Sequence, residues 1–122
     1  VTSVLDASAI LAYLLGEDGA ETVESALADD PRCGAANWSE VAQRVLGAGR
    51  DWDLARALLA SHGVRVEPVV GDDAEWAARR WRRGEGLSLA DRLCLALGER
   101  LDAEVLTADR SWGDSGRIIQ IR

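Results

Sequence analysis

Four acidic residues, Asp6, Glu40, Asp91 and Asp109, stand where a carboxylate could do chemistry. Asp6 ends the apolar run TSVLD, and Glu40 comes three residues after Asn37 in NWSE. Asp91 comes three residues after Ser88 in SLAD, and Asp109 closes EVLTAD with Thr107 two positions before it. Every one of these is expected at the end of a strand or in the first turn of a helix. Carboxylates brought within ~4–6 Å of one another repel and raise each other's pKa, so such a cluster persists when a cation neutralises it. Oxygen donors without histidine or cysteine indicate Mg²⁺ or Mn²⁺, held by a few carboxylates and several waters. A site of that kind suits phosphoryl transfer, and the substrate it implies is a phosphodiester.

A plainer account applies to each acid alone. Asn37-x-x-Glu40 has the form of a capping box, Ser88-x-x-Asp91 is a looser version, and a carboxylate near a helix N-terminus is expected from the macrodipole. Asp72-x-x-Glu75 has the same form and carries no assigned chemistry. What favours a site is the conjunction, since all of them face one edge if the strands are parallel. Ser8 and Thr107 are hydroxyls on that edge, able to hold a carboxylate or to make a cap or turn bond. Asn37 is first a cap and second a support for Glu40. Arg92 and Arg110, each adjacent to a proposed ligand, are placed to meet phosphate. Asp114 is a further acid near the edge.

The elements must deliver these residues together. Thr2 to Asp6 reads as a strand, Ser8 to Leu15 as a helix closed by Gly16, and Gly19 to Ala28 as a second helix that Asp29-Asp30-Pro31 ends. Cys33 to Ala36 is expected as a short buried strand of poor propensity, and a helix starts at Asn37 and stops near Gly47-Gly49. Trp52 to His62 follows as a helix, Val64 to Val70 as a strand, and Asp72 or Asp73 caps a helix to Arg83. A helix carrying Asp91 in its first turn, a turn at Leu101-Asp102-Ala103, a strand from Glu104 to Leu106 and a last strand from Arg117 to Ile121 complete the chain. Strands separated by helices pair in parallel through crossovers, so the expected fold is α/β: a three-layer α/β/α sandwich with a mainly parallel sheet. Residues 1–122 are read as one domain.

Composition narrows the class. A hydrophobic fraction of 48% suffices for a core, and the two cysteines, Cys33 and Cys94, have neither metal-ligand nor disulfide spacing. Cys94 reads as a buried hydrophobe, and a reducing cytoplasm fits. No apolar run approaches a membrane span, and the start of the chain lacks the basic region of a signal peptide. His62, the one histidine, is expected on the surface at a helix end. A net charge of −7 argues against nucleic acid in bulk, but local fields set binding. The run Arg79-Arg80-x-Arg82-Arg83 with Trp76 and Trp81 could track a nucleic-acid backbone, although such runs are more often solvated faces. Gly84-Glu85-Gly86 has neither the spacing nor the lysine of a phosphate loop.

With these residues in view, the chain resembles the PIN-domain ribonucleases, most closely the VapC-type toxins of toxin–antitoxin pairs. VLDASAILAYLLGE, NWSEV and LSLADRLCLALGERLDAEVLTADRSW carry the resemblance, which covers nearly the whole chain. It implies an acidic cluster at Asp6, Glu40, Asp91 and Asp109 that binds Mg²⁺ or Mn²⁺ and cuts RNA, with Ser8, Asn37 and Thr107 in supporting positions. Asp109 falls on the most variable of the family's acid positions. The resemblance also implies a homodimer and a cognate antitoxin that blocks the site. Two other readings stand beside the ribonuclease: a structure-specific DNA nuclease of the same geometry, and a non-catalytic interaction module whose acids only cap helices.

Overall fold

A computed structural model describes residues 1–122. The chain runs β1 (Thr2–Leu5), α1 (Ala7–Leu15), α2 (Ala20–Leu27), β2 (Asp30–Gly34), α3 (Ala35–Gly47) and α4 (Trp52–Ser61). It continues through β3 (Arg65–Glu67), α5 (Gly71–Arg80), α6 (Leu89–Leu101), β4 (Glu104–Thr107), a 3₁₀ turn at Arg110–Trp112 and β5 (Ile118–Gln120). The sheet order is β3-β2-β1-β4-β5, and every pairing is parallel.

Alternation along the central strands divides the core into two layers. Leu5 and Leu106 face one side, where they pack with Ile10, Val23, Leu27, Val41 and Leu59 of α1 to α4. Val4 and Val105 face the other, against Cys94, Leu95 and Leu97 of α6, with Trp76 of α5 at the margin. Helices therefore cover both faces, as a parallel sheet requires, and the fold is the expected three-layer α/β/α sandwich. Gly98 lets α6 close on β4, because a Cβ there would run into the Val105 side chain. Gly16 ends α1 in the left-handed region at φ 66°, as its lack of Cβ permits. No helix is long and apolar enough to cross a membrane.

Several boundaries differ from the sequence expectation. β2 begins at Asp30, earlier than Cys33, and Ala35 and Ala36 belong to α3 instead of the strand. Pro31 is tolerated because it pairs with Ser3 of β1 before β3 joins at Arg32, so it sits at the less flanked start of the strand. β3 has only the residues Arg65–Glu67, since Pro68 stops it and leaves Val69 and Val70 exposed. α5 ends at Arg80, where Trp81 turns extended and a bidentate pair between Arg80 and Glu85 draws the chain back.

β1 lies in the middle of the sheet. The chain winds outward from it to β2 and β3, then returns to place β4 on its other side. The order reverses between β1 and β4, and in open parallel sheets ligands bind in the crevice beyond the carboxyl ends of the strands at such a switch point. Asp6 follows β1 there, and Asp109 follows β4.

Candidate metal centre

The carboxyl edge of the sheet holds a cleft of about 300 Å³, lined by Asp6, Ala7, Ser8, Leu11, Asn37, Glu40, Gln43, Arg44, Asp91 and Asp109. The four acids singled out in the sequence thus share one cavity, each delivered by a different segment. Arg92, Arg110 and Asp114 do not line it.

Asp6 is the fixed point. Its backbone N–H still donates to Leu106 O at 3.1 Å, so the pairing of β1 with β4 continues one residue past the strand. Its side chain, and not that of Ser8, caps α1 by accepting from Ala9 N at 2.8 Å. Ser8 Oγ donates to Asp6 Oδ1 at 2.7 Å and accepts from Ala108 N at 2.8 Å. Thr107 Oγ1 donates to Asp6 Oδ2 at 2.6 Å and accepts from Asp109 N at 3.0 Å. Both hydroxyls thus span the ends of β1 and β4 and fix the carboxylate. Asp6 is only 4% exposed, and burial pushes its carboxyl up from the ordinary 3.8 to about 6. The hydrogen bonds from Thr107, Ala9 and Ser8 oppose that rise, and the Asp91 charge adds to it.

Glu40 lies one turn beyond Asn37 on α3. Because α3 starts at Ala35, Asn37 is inside the first turn and is not the cap. It instead donates from Nδ2 to Glu40 Oε1 at 3.1 Å and to Ala90 O at 3.4 Å, tying α3 to α6 beside Asp91. Asn37 is buried, with its Oδ1 unpartnered. Partial burial raises the Glu40 carboxyl, the Asn37 bond lowers it, and the Asp91 charge raises it again.

Ser88 caps α6 and Asp91 completes the capping box: Ser88 N donates to Asp91 Oδ2 at 2.9 Å, and Asp91 N donates to Ser88 Oγ at 3.0 Å. Asp109 is exposed, and its Oδ1 accepts from Ser111 N at 2.9 Å and Ser111 Oγ at 2.7 Å. Of the arginines expected at phosphate, Arg92 instead donates to Ala77 O at 2.7 Å, near the C-terminal end of α5. Trp76 packs at the margin of the second core layer, whereas Trp81 is exposed with Arg83 over its ring at 5.5 Å. His62 is half-buried and hydrogen-bonded to the Tyr13 hydroxyl at 2.7 Å. Cys33 and Cys94 are buried, and burial pushes both thiols up, which leaves them unreactive.

Gln43 and Arg44 line the cleft without having been singled out in the sequence. Their one signal there is spacing, three and four residues beyond Glu40 on the same helical face.

The donor set fits a hard divalent cation. Nine ion pairs tie acids to cations elsewhere in the chain, yet none involves Asp6, Glu40, Asp91 or Asp109. No three of these carboxylates close on one point, in keeping with a small cation that takes one or two carboxylates and keeps waters.

Residues 3–116 match the family model of the PIN domain. The chain is 34% identical to a VapC ribonuclease of Mycobacterium bovis over 108 residues, 79% of this chain and 82% of the relative. Ribonuclease VapC42 of Mycobacterium tuberculosis matches to the same extent. Among solved structures, a toxin–antitoxin complex from Klebsiella pneumoniae superposes with a TM-score of 0.82 at 16% identity, over 98% of both chains. Mycobacterium tuberculosis VapC20, a sarcin-ricin loop cleaving toxin, gives 0.66 at 21% identity over 87% of each chain. At such identities the structures speak for the fold.

Proposed function

We propose that this chain, which belongs to the PIN-domain family and within it to the VapC group, is a Mg²⁺- or Mn²⁺-dependent endoribonuclease. The observation that carries the proposal is the set of four carboxylates, Asp6, Glu40, Asp91 and Asp109, lining one cleft at the switch point with no ion pair among them. The curated relatives are ribonucleases, which favours RNA over DNA.

In this reading the cation would sit among Asp6, Glu40 and Asp91, with one or two of them as direct ligands and the rest reached through waters, and with Asp109 at the rim. Ser8 and Thr107 aim Asp6, and Asn37 aims Glu40. When bound, a divalent cation would offset the negative charge of the cluster and supply Lewis-acid assistance to phosphodiester hydrolysis by water. The residues supply the rest. The hydroxyl and amide donors hold the carboxylates in place before substrate arrives, so little reorganisation is needed at the reaction. Burial of Asp6 excludes bulk water and strengthens its field.

The chain is read as one nuclease domain acting as the toxin of a toxin–antitoxin pair, and as a homodimer in the cytoplasm. Support for a protein partner comes from the Klebsiella complex and from a VapBC assembly of Salmonella typhimurium with a TM-score of 0.67. An apolar groove of about 370 Å³ between α1, α3 and α4, edged by the exposed Leu15, Leu54 and Leu58, offers such a partner surface.

The test is cleavage of matched single-stranded RNA and DNA oligomers with Mg²⁺, Mn²⁺ or a chelator. RNA cut only with metal is the expected result. Cleavage unaffected by the chelator, or of DNA alone, would overturn the assignment. No cleavage of either, with the acids mattering only to helix stability, would return the chain to an interaction module.

A further inference from the structure

We propose that Arg44 binds the phosphodiester in the cleft, its guanidinium holding the non-bridging oxygens of the phosphate at or beside the bond to be cut. The inference rests on the nuclease reading above.

Arg44 follows Glu40 by four residues on α3, the order and spacing at which a helical acid and base ordinarily pair. They do not pair here. Glu40 is turned to the Asn37 amide at 3.1 Å, and Arg44 makes no ion pair, although six other arginines do. Yet Arg44 is the one cationic side chain lining a cleft that contains four carboxylates. The acids are held by hydroxyl and amide donors, and the cation beside them has no acid of its own.

That separation suits a site with two charges to meet, a metal on the acids and an anion on the arginine. A guanidinium presents paired N–H donors that match two phosphate oxygens. Arg44 does lie in the last turn of α3, where a cation is favoured by the helix dipole. The dipole favours a cation anywhere around that turn, however, and does not select the face that looks into the cleft. The other two arginines suggested by the sequence are less suited: Arg92 is spent on Ala77 O, and Arg110 lies outside the lining.

The experiment uses the full chain as parent, Arg44→Gln and Arg44→Lys, with Arg56→Gln on the exposed face of α4 as control. Binding of a labelled single-stranded RNA is read by fluorescence anisotropy across a salt series, with Ca²⁺ and with chelator, and the oligomer is checked for integrity on a gel. Mg²⁺ binding is read from the melting temperature, and cleavage is measured with Mg²⁺. Arg44→Gln is expected to weaken RNA binding about tenfold or more and to reduce the log–log salt slope by about 0.7. Its Mg²⁺ midpoint is expected to stay with the parent, Arg44→Lys to recover part of the affinity, and Arg56→Gln to change nothing. An unchanged RNA affinity and slope in Arg44→Gln overturns the proposal, as does a larger effect on the Mg²⁺ midpoint than on RNA, or a parent that binds no RNA. A parent that cuts RNA no faster than Arg44→Gln ends this proposal and leaves the nuclease. A parent that binds RNA through Arg44 but never cuts it ends the nuclease and, with it, the placement of that phosphate beside a bond to be cut.

Discussion

Thr107 Oγ1 donates to Asp6 Oδ2 at 2.6 Å across 101 positions of chain, joining the carboxyl ends of β4 and β1. The same hydroxyl accepts from Asp109 N, so one side chain connects two of the cleft acids. Thr107→Val removes both bonds and strands buried polar groups, at a cost of about 1–3 kcal/mol. It also lifts the Asp6 carboxyl further, so Mg²⁺ should bind more weakly at neutral pH. Thr107→Ser should restore both. Denaturation in chelator and calorimetric titration with Mg²⁺ check this; a Val variant that binds metal like the parent would remove Thr107 from any positioning role.

Asp6→Asn should abolish cleavage without destabilising the metal-free protein. Holding Asp6 ionised at neutral pH against a carboxyl pushed from 3.8 to about 6 costs up to about 3 kcal/mol. The amide relieves that cost while losing the stronger bonds that a charged acceptor makes. The melting temperature is therefore expected to be equal or higher, and Mg²⁺ should raise it for the parent only. A variant that cuts RNA at the parental rate would refute the assignment.

The pH dependence follows with a definite sign. Asp6 keeps its proton in the folded protein up to about 6 rather than 3.8, so its contribution to stability is fully present below 3.8 and is lost as pH rises through 6. Glu40 acts in the same direction. Asp30 and Glu85, held down by Arg32 and Arg80, act oppositely, and their contributions fall away only as pH drops beneath the ordinary carboxylate range. Between pH 5 and 7 Asp6 and the partly buried Glu40 decide, and the metal-free protein should be about 1 kcal/mol more stable at pH 5 than at pH 7 from Asp6 alone. Protons then compete with metal, and through Asp6 alone Mg²⁺ affinity should fall about fivefold from pH 6 to 5. A metal-free stability that rises from pH 5 to 7 would contradict the burial of Asp6.

Ser88 and Asp91 separate capping from chemistry. Ser88→Ala removes the acceptor for Asp91 N and should cost about 0.5–2 kcal/mol with cleavage largely kept. Asp91→Asn keeps an oxygen that can accept from Ser88 N and relieves the repulsion of Asp6 and Glu40, so it should cost less stability yet lose cleavage. Equal losses of activity in the two variants would mean that Asp91 matters only as a cap.

The sequence displayed the acids more clearly than their surroundings. Asp6, Glu40, Asp91 and Asp109 are legible because each stands beside a change of periodicity, and a parallel sheet sends such changes to one edge. Asn37 is misplaced as a cap because the start of α3 depends on where β2 stops. That point is set by pairing of Asp30, Pro31 and Arg32 with β1, a tertiary fact that local propensity does not contain. The arginines fail for a geometric reason. Arg92 is adjacent to Asp91, but neighbours on a helix point about 100° apart, and Arg92 turns to α5. Arg44 is four residues from Glu40 and so shares its face.

The placement of β1 between β2 and β4 has a consequence for how this molecule comes into being. Asp6 and Ser8 are made about a hundred residues before Thr107 and Asp109, which complete the setting of that carboxylate. A growing chain therefore carries an unfinished pocket until β4 slides in beside β1, a contact between segments far apart in sequence and accordingly slow to form. In this arrangement the cleft stays open on one side during synthesis until the segment from Glu104 to Asp109 has been made.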